Sequence, residues 1–343
     1  MRRLKFSLSL TAVIALLALV VGVVATRATT ASADGTGGGK GGAAAGKRVD
    51  VIIKASNSSF WQTMLAGADR AQRDYGIQVS RFGPTSEEDI PQQITLVENA
   101  VSRGVDAVVL APNNSSALNA AIQAARKAGI KVVVVDTQVT TEHDGFIGTD
   151  NEKAAEQAGR RMCDLTKAAG KTSGNVLIES SIAGLQVLQD RERGFRTGMQ
   201  GCPGLKITNP RYNGNDINTA ANQVGDVLTA DPSLVGVFAA NNTSGVGAAR
   251  AIKDNNAAGR VTVVSFDTDP QQVAALGDGS IDTLVVQNPY FFGYQGVLEA
   301  AASAGGTKAP PNLDPGAVLA DKSNMTRPEV AQLLTPPTSK AGK

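Results

Sequence analysis

Aromatic residues make up only 4% of this 343-residue chain, which holds one histidine, one tryptophan and two cysteines. Each scarcity excludes something. His143 stands in a polar stretch, 140–145, and reads as solvated. No catalytic triad, paired-acid spacing or metal-ligand cluster can be assembled around it, so no enzyme activity, metal or cofactor is expected. Charge of one sign is lacking as well. The formal net charge is +2, but of the 33 basic residues four (Arg2, Arg3, Lys5 and Arg27) precede position 34, where no acid stands, leaving 29 against 31 acidic ones. That balance excludes a nucleic-acid surface built on basic excess. A phosphate-binding loop is missing too. In the glycine run at 35–42, Lys40 is followed by Gly41 and no strand precedes it; before Gly170-Lys171-Thr172, Leu165 stands where a first glycine belongs.

Long apolar runs are confined to the beginning of the chain. Arg2-Arg3-Leu4-Lys5 is a positive start, 7–25 is an almost uncharged apolar stretch, and Ala31-Ser32-Ala33 is an A-x-A cleavage site. Residues 1–33 are therefore expected to be a secretory signal, with a mature start at Asp34 in the periplasm or at the cell surface. An uncleaved anchor is the alternative, because the stretch approaches the ~20 residues needed to span a bilayer. Residues 34–46 are Gly- and Ala-rich without an apolar pattern and are expected to be a flexible tether. In an oxidising compartment Cys163 and Cys202 can form one structural disulfide; two buried thiols are the other reading.

What the chain does have is a series of short, near-continuous apolar runs, each ending in small polar residues. Val51-Ile52-Ile53 leads to Ser56-Asn57-Ser58, 107–110 to Asn113-Asn114, and 132–135 to Asp136-Thr137. In the second half, 176–178 leads to Ser180-Ser181, 235–238 to Asn241-Asn242, and 261–264 to Asp267-Thr268-Asp269. Runs without alternation are strands buried on both faces. Helical patterns at 60–75, 87–103, 115–128, 152–169, 185–200, 217–229, 244–256 and 289–304 alternate with them, which is the βαβ order. Right-handed crossovers then give parallel sheets covered on both faces. The two sets of three edges imply two α/β lobes. Phe146 to Asn151, a short strand with no helix before it, reads as a crossing between them, and 284–287 and 318–321 as two more. Ligands bind at the carboxyl ends of strands in such sheets, so two facing rims can clamp one small polar molecule.

The rim residues suit a hydroxyl-rich guest. Ser58 precedes the adjacent rings of Phe60 and Trp61. Neighbours on a helix point in different directions, so at least one ring should face the rim, where it can pack on the C–H face of a sugar. Ser58 as a plain helix cap, with both rings in the core, is the alternative. Asp136 and Asp267 each follow a Val-rich strand, and a carboxylate can hold two neighbouring hydroxyls; capping alone predicts one helix-start bond apiece and no convergence. Asn241 raises the same choice. Arg191 comes early in a helix, where the dipole does not favour it, so it serves either as a forked donor or in an ion-pair face with Glu192 and its neighbours. Gln287, before Asn288-Pro289, offers a donor and an acceptor.

In their order and spacing these residues resemble the type 1 periplasmic sugar-binding proteins of the ribose-binding class, the soluble receptors of ABC importers. The supports are Asn57-Ser58-Ser59-Phe60-Trp61, Asp136, Gly148-Thr149-Asp150-Asn151, Asp190-Arg191-Glu192-Arg193-Gly194-Phe195, 238–242, Phe266-Asp267 and Gln287. The resemblance spans about 49–324. It implies two Rossmann-like α/β lobes joined by a three-strand hinge: 47–149 with 289–319, and 150–288 with 320–343. It further implies a monosaccharide or small polyol as ligand, a permease as partner, a monomeric state, and ligand contacts from Ser58, Phe60, Trp61, Asp136, Arg191, Asn241, Asp267 and Gln287. Two departures stand out. Thr137 occupies the place where the family often has Arg, and no second-lobe aromatic is evident, Asn215 or Tyr212 lying in that stretch. Thr137 and Asn215 are taken as ligand contacts in those places. A repressor of the same core would need a helix-turn-helix where the leader and tether stand. A ligand-presenting sensor, including one for a furanose signal, would share the site.

Overall fold

The computed structural model describes residues 42–337; the leader and most of the tether lie outside them. The apolar runs form the central strands: β1 (Arg48–Ile52), β3 (Ala107–Leu110), β4 (Lys131–Val135), β6 (Gly174–Ser180), β9 (Leu234–Ala239) and β10 (Thr262–Phe266). Shorter strands complete two sheets: β2 (Gln78–Phe82), β5 (Gly145–Ile147), β7 (Leu205–Ile207), β8 (Arg211–Tyr212), β11 (Thr283–Val286) and β12 (Val318–Ala320). The first sheet has five strands in the order β2-β1-β3-β4-β5. The second has seven, in the order β12-β11-β10-β9-β6-β7 with β8 beside β6. All pairings are parallel except that of β12 with β11.

The absence of alternation in the runs has a direct structural counterpart. Val51, Val109 and Val133 pack on one face of the first sheet, while Ile52, Val108 and Val132 pack on the other. Leu177, Val237 and Val263 against Val176, Phe238 and Val264 do the same in the second. Among the described residues, ten α-helices cover these faces: α1 (Ser59–Tyr75), α2 (Ile90–Arg103), α3 (Asn119–Lys127), α4 (Asn151–Ala168), α5 (Gln186–Gly198), α6 (Ile217–Ala230), α7 (Asn242–Asp254), α8 (Pro270–Asp278), α9 (Pro289–Ala304) and α10 (Pro328–Leu334). The chain crosses between lobes after β5, again from β11 into α9, and a third time between Leu313, which bridges to Ile147, and β12.

Several expectations need correction. Strands β2, β7 and β8 were not expected, because they are short or largely exposed edge strands without an apolar run. Helices α8 and α10 escaped the pattern reading, although Asp269 and Gln272 form a capping box and Pro270 opens α8. Helix α2 starts at Ile90 instead of 87, since the Asp89 carboxylate accepts from Gln92 N at 2.9 Å. Helix α3 starts at Asn119 instead of 115, because Asn114 Oδ1 takes the N–H groups of Ser116 and Ala117 in a turn. Residues 42–46 were counted in the tether, but Gly42–Ala44 form a short helical turn with Ala44 buried in the first-lobe core. Strand β12, from Val318, already belongs to the second sheet, two residues before the expected change of lobe.

Cys163, in α4, and Cys202, just past α5, form a disulfide. Helix pairs in each lobe approach through glycine. A Cβ on Gly293 of α9 would strike the Met64 carbonyl of α1, and one on Gly194 of α5 would strike the Glu152 carbonyl of α4.

Candidate binding site

Asp136 and Asp267 occupy equivalent places at the two rims. Each follows the last residue of a central strand, and each continues the ladder with its N–H, to Ile147 O at 2.9 Å and to Val285 O at 3.0 Å. Each then turns into the left-handed region, with φ of 65° and 77°. Only four non-glycine residues among those described have positive φ. Such backbone costs about 1–3 kcal/mol at a non-glycine residue and persists where its surroundings impose it. Here it swings both carboxylates away from the helices that come next and into one cavity between the lobes.

That cavity is lined by Lys54, Ser58, Phe60, Trp61, Glu87 and Asp136 from the first lobe, faced by Ser181, Leu185, Val187, Leu188, Arg191, Asn241, Asn242 and Asp267, with Gln287 at a crossing. Polar contacts close it: Ser59 Oγ donates to Asp269 Oδ2 at 2.6 Å, and Asn242 Nδ2 lies 3.4 Å from the hydroxyls of Ser58 and Ser59. Eight of the ten expected residues therefore meet in one place, over more than two hundred residues of sequence. The two rings behave as the helical geometry requires. They sit edge to face at 4.8 Å, both on the wall, with Trp61 also in the core and Phe60 against Phe292. Ser58 holds the N-cap position of α1 but makes no capping bond, so its hydroxyl is left for the cleft. Asn241 does cap α7, accepting from Ser244 N at 3.0 Å, and still lines the cavity.

The second-lobe carboxylate takes its hydrogen bonds from neutral donors, with a guanidinium just beyond them. Asp267 accepts from Gln287 Nε2 at 2.7 Å and from the N–H of Asn242, at the start of α7, at 2.9 Å. Arg191 Nη1 lies 3.9 Å away. Burial pushes the Asp267 carboxyl above its ordinary range, and Arg191, Gln287 and the Asn242 N–H counter that only in part. Arg191 itself is 3% exposed, donates to Asn151 Oδ1 and Ala240 O, and lies over the Phe266 ring. The surface ion-pair reading of this helix belongs to its neighbour Arg193, which pairs with Asp190 and Glu152. Gln287 has a side-chain oxygen, Oε1, that is buried with no protein partner.

Two expected contacts stand one step behind the wall. Thr137 donates to Asp136 Oδ2 at 2.9 Å and accepts from Lys54 at 2.6 Å. Asn215, also at positive φ, accepts from Asn241 Nδ2 at 3.1 Å and lies outside the lining. Tyr212 is 40% exposed and bonds to Glu192. His143 contacts its own loop at Thr141 O.

Sequence reasoning missed residues at both rims of the cavity. Where Arg after the first aspartate is often found, the cation comes from another strand. Lys54 follows the β1 run, is 2% exposed, and places Nζ 2.7 Å from Asp136 Oδ2. A charge directly after an apolar run was its only signal. Where an aromatic would close the second lobe, the aliphatic side chains of Leu185, Val187 and Leu188 form the wall. Their spacing reads as an ordinary helix face. Glu87 fell inside an expected helix and is instead in the loop before it, accepting from Trp61 Nε1 at 2.8 Å.

Two parallel-sheet lobes, three crossings and a polar cavity between the rims define a two-lobed binding protein. Residues 49–308 match the family described as periplasmic binding protein domain, and the chain belongs to that family. A carbohydrate transporter solute-binding protein from Agrobacterium radiobacter, solved with D-arabinose, superposes with a TM-score of 0.81 at 34% identity, covering 84% of this chain and 99% of that one. An ABC transporter solute-binding protein from Agrobacterium vitis, with bound D-fucose, gives 0.79 at 34% identity, covering 84% and 100%. The D-allose-binding periplasmic protein of Escherichia coli is 25% identical over 294 residues, 83% of this chain and 94% of its own length.

Proposed function

We propose that this protein is an exported solute-binding component that captures a monosaccharide or similar small polyol between its lobes and delivers it to an ABC importer permease, without chemical turnover. Relatives solved with D-arabinose and D-fucose, and one named for D-allose, support a sugar as the ligand class. The observation that carries the reading is the convergence of the two strained aspartates on one cavity between the rims. Each carboxylate is oriented by its own cation or amide donors, with aromatic rings beside one and an unpartnered Gln287 oxygen beside the other. A sugar supplies what this wall lacks: hydroxyls that donate to carboxylate and amide oxygens while accepting from ammonium and guanidinium, and a C–H face for the rings. Ser58, Phe60, Trp61, Asp136, Arg191, Asn241, Asp267 and Gln287 are assigned to direct contact, and Thr137 and Asn215 to holding Asp136 and Asn241.

Binding at both rims favours closure about the three crossings. A micromolar Kd corresponds to about −8 kcal/mol, within reach of a handful of charge-assisted hydrogen bonds at about 1.5–3 kcal/mol each, less ordering costs. The test is calorimetry and thermal shift with D-arabinose, D-fucose, D-tagatose, D-ribose, D-allose and small polyols. One or more should bind at micromolar Kd or tighter and be recovered unchanged. No binding across the panel, or conversion of the bound sugar, would overturn the proposal.

A further inference from the structure

The cavity wall carries three carboxylates, Glu87, Asp136 and Asp267, but only two cations. Both cations are engaged. Lys54 bonds to Asp136 and Thr137, and Arg191 lies beside Asp267 with its Nε and Nη1 on Asn151 and Ala240. Glu87 has no ion-pair partner among the described residues, and its one hydrogen bond there comes from Trp61. That bond occupies Oε1 and fixes the carboxylate against the indole, which leaves Oε2 without a protein donor. The groups that face it come from four elements: Lys54 after β1, Trp61 on α1, Asp136 after β4, and Asp267 from the opposite lobe. Burial raises the Glu87 carboxyl above its ordinary value, and the Lys54 ammonium and the indole N–H oppose the rise.

We infer that Glu87 contacts the ligand, its free oxygen accepting from a donor group at the first-lobe end of the cleft, and so acts as a specificity-determining residue. This rests on the function proposed above. A wall carboxylate with an unused acceptor gains a charge-assisted hydrogen bond when a ligand donor takes the place of water. The position of Glu87 on a loop, oriented by Trp61 instead of by a helix, ties donor recognition to the same indole that lines the sugar pocket. A hydroxyl or an ammonium would serve as the donor.

Calorimetry on the full chain distinguishes these. The probe is whichever sugar of the panel above binds most tightly, then its monodeoxy series and its amino-deoxy counterparts, with the unaltered protein, Glu87→Gln and Trp61→Phe. Glu87→Gln should weaken the parent sugar about tenfold while leaving one monodeoxy analogue, the one that lacks the contacted hydroxyl, nearly unaffected. Trp61→Phe should reduce that selectivity. If the donor is an ammonium, one amino-deoxy sugar binds more tightly than its parent, and Glu87→Gln removes the gain. An equal loss across the whole series, or no loss, would overturn the role of Glu87 while leaving the sugar site standing. Failure of the unaltered protein to bind any sugar would overturn the functional proposal itself.

Discussion

The two lobes solve the same electrostatic problem differently. Each presents an aspartate at positive φ from the end of a central strand. In the first lobe the carboxylate is locked to an ammonium at 2.7 Å, both side chains at most 5% exposed. In the second it relies on an amide side chain and a helix-start N–H, with the guanidinium 3.9 Å off and held by other partners. Breaking a close buried ion pair is strongly destabilising; at the second rim the guanidinium left behind keeps its hydrogen bonds to Asn151 and Ala240, so the loss there should be smaller. On the proposed function, the first-lobe aspartate serves the fold as well as the ligand, and the second-lobe one weighs more on the ligand.

The sharpest way to break that comparison is to delete each aspartate. Asp136→Ala and Asp267→Ala should both weaken sugar binding at least tenfold by calorimetry. Asp136→Ala should also lower stability the more strongly, by about 3–5 kcal/mol in denaturant unfolding, because Lys54 is left buried with only the Thr137 hydroxyl, whereas the Arg191 left by Asp267→Ala keeps Asn151 and Ala240 as hydrogen-bond partners. The double variant Lys54→Met/Asp136→Leu should recover most of that stability and none of the binding. Equal stability losses in the two single variants would remove the distinction.

The lobes differ next in covalent bracing. Only the second holds the disulfide, which closes a loop with a sequence separation of 39. Reduction should cost about 2–4 kcal/mol on loop-closure grounds, and hydrogen exchange should locate the loosening around α4 and α5 and not in the first lobe. Where the lobes are alike, they should respond alike. Gly293→Ala and Gly194→Ala each force apart one helix pair and should each cost about 1–3 kcal/mol, read as a shift in the urea midpoint.

The lobes also share a pH slope, to which one buried glutamate in each contributes. Burial pushes Glu179 of the second lobe up to about 8 and Glu299 of the first up to about 7, from an ordinary 4.5. Each has a buried oxygen without a partner, Oε2. The folded state holds these protons at pH values where the unfolded chain has lost them, so stability falls as pH rises from about 4.5 through about 7 and 8. The thermal midpoint should be higher at pH 5 than at pH 8. Glu179→Gln should flatten the upper part of that fall, and Glu299→Gln the lower part. If neither substitution alters the profile, both assignments are excluded.

The alternation of apolar runs and helical patterns was legible because a strand buried on both faces and a helix covering it each have a local signature. So was the pairing of Asp136 with Asp267, since both stand directly after such a run. Edge strands β2, β7 and β8 were not legible, because an exposed or very short strand needs no apolar sequence. Lys54 was passed over because a lysine at a strand end is ordinarily solvated; here Asp136, more than eighty residues on, buries it. Glu87 was hidden by a helix expected to start too early, which Asp89 prevents by capping at a later point.

The sequence by itself determined the two α/β lobes and the rim carboxylates that face between them, for these depend on periodicity and on the residue types at the strand ends. Only the tertiary structure decided which cation answers which carboxylate, which aliphatic side chains replace a missing ring, and which acid remains unpaired. Charge pairing and desolvation are set by distances across the cleft, and residues that meet there have no fixed separation along the chain.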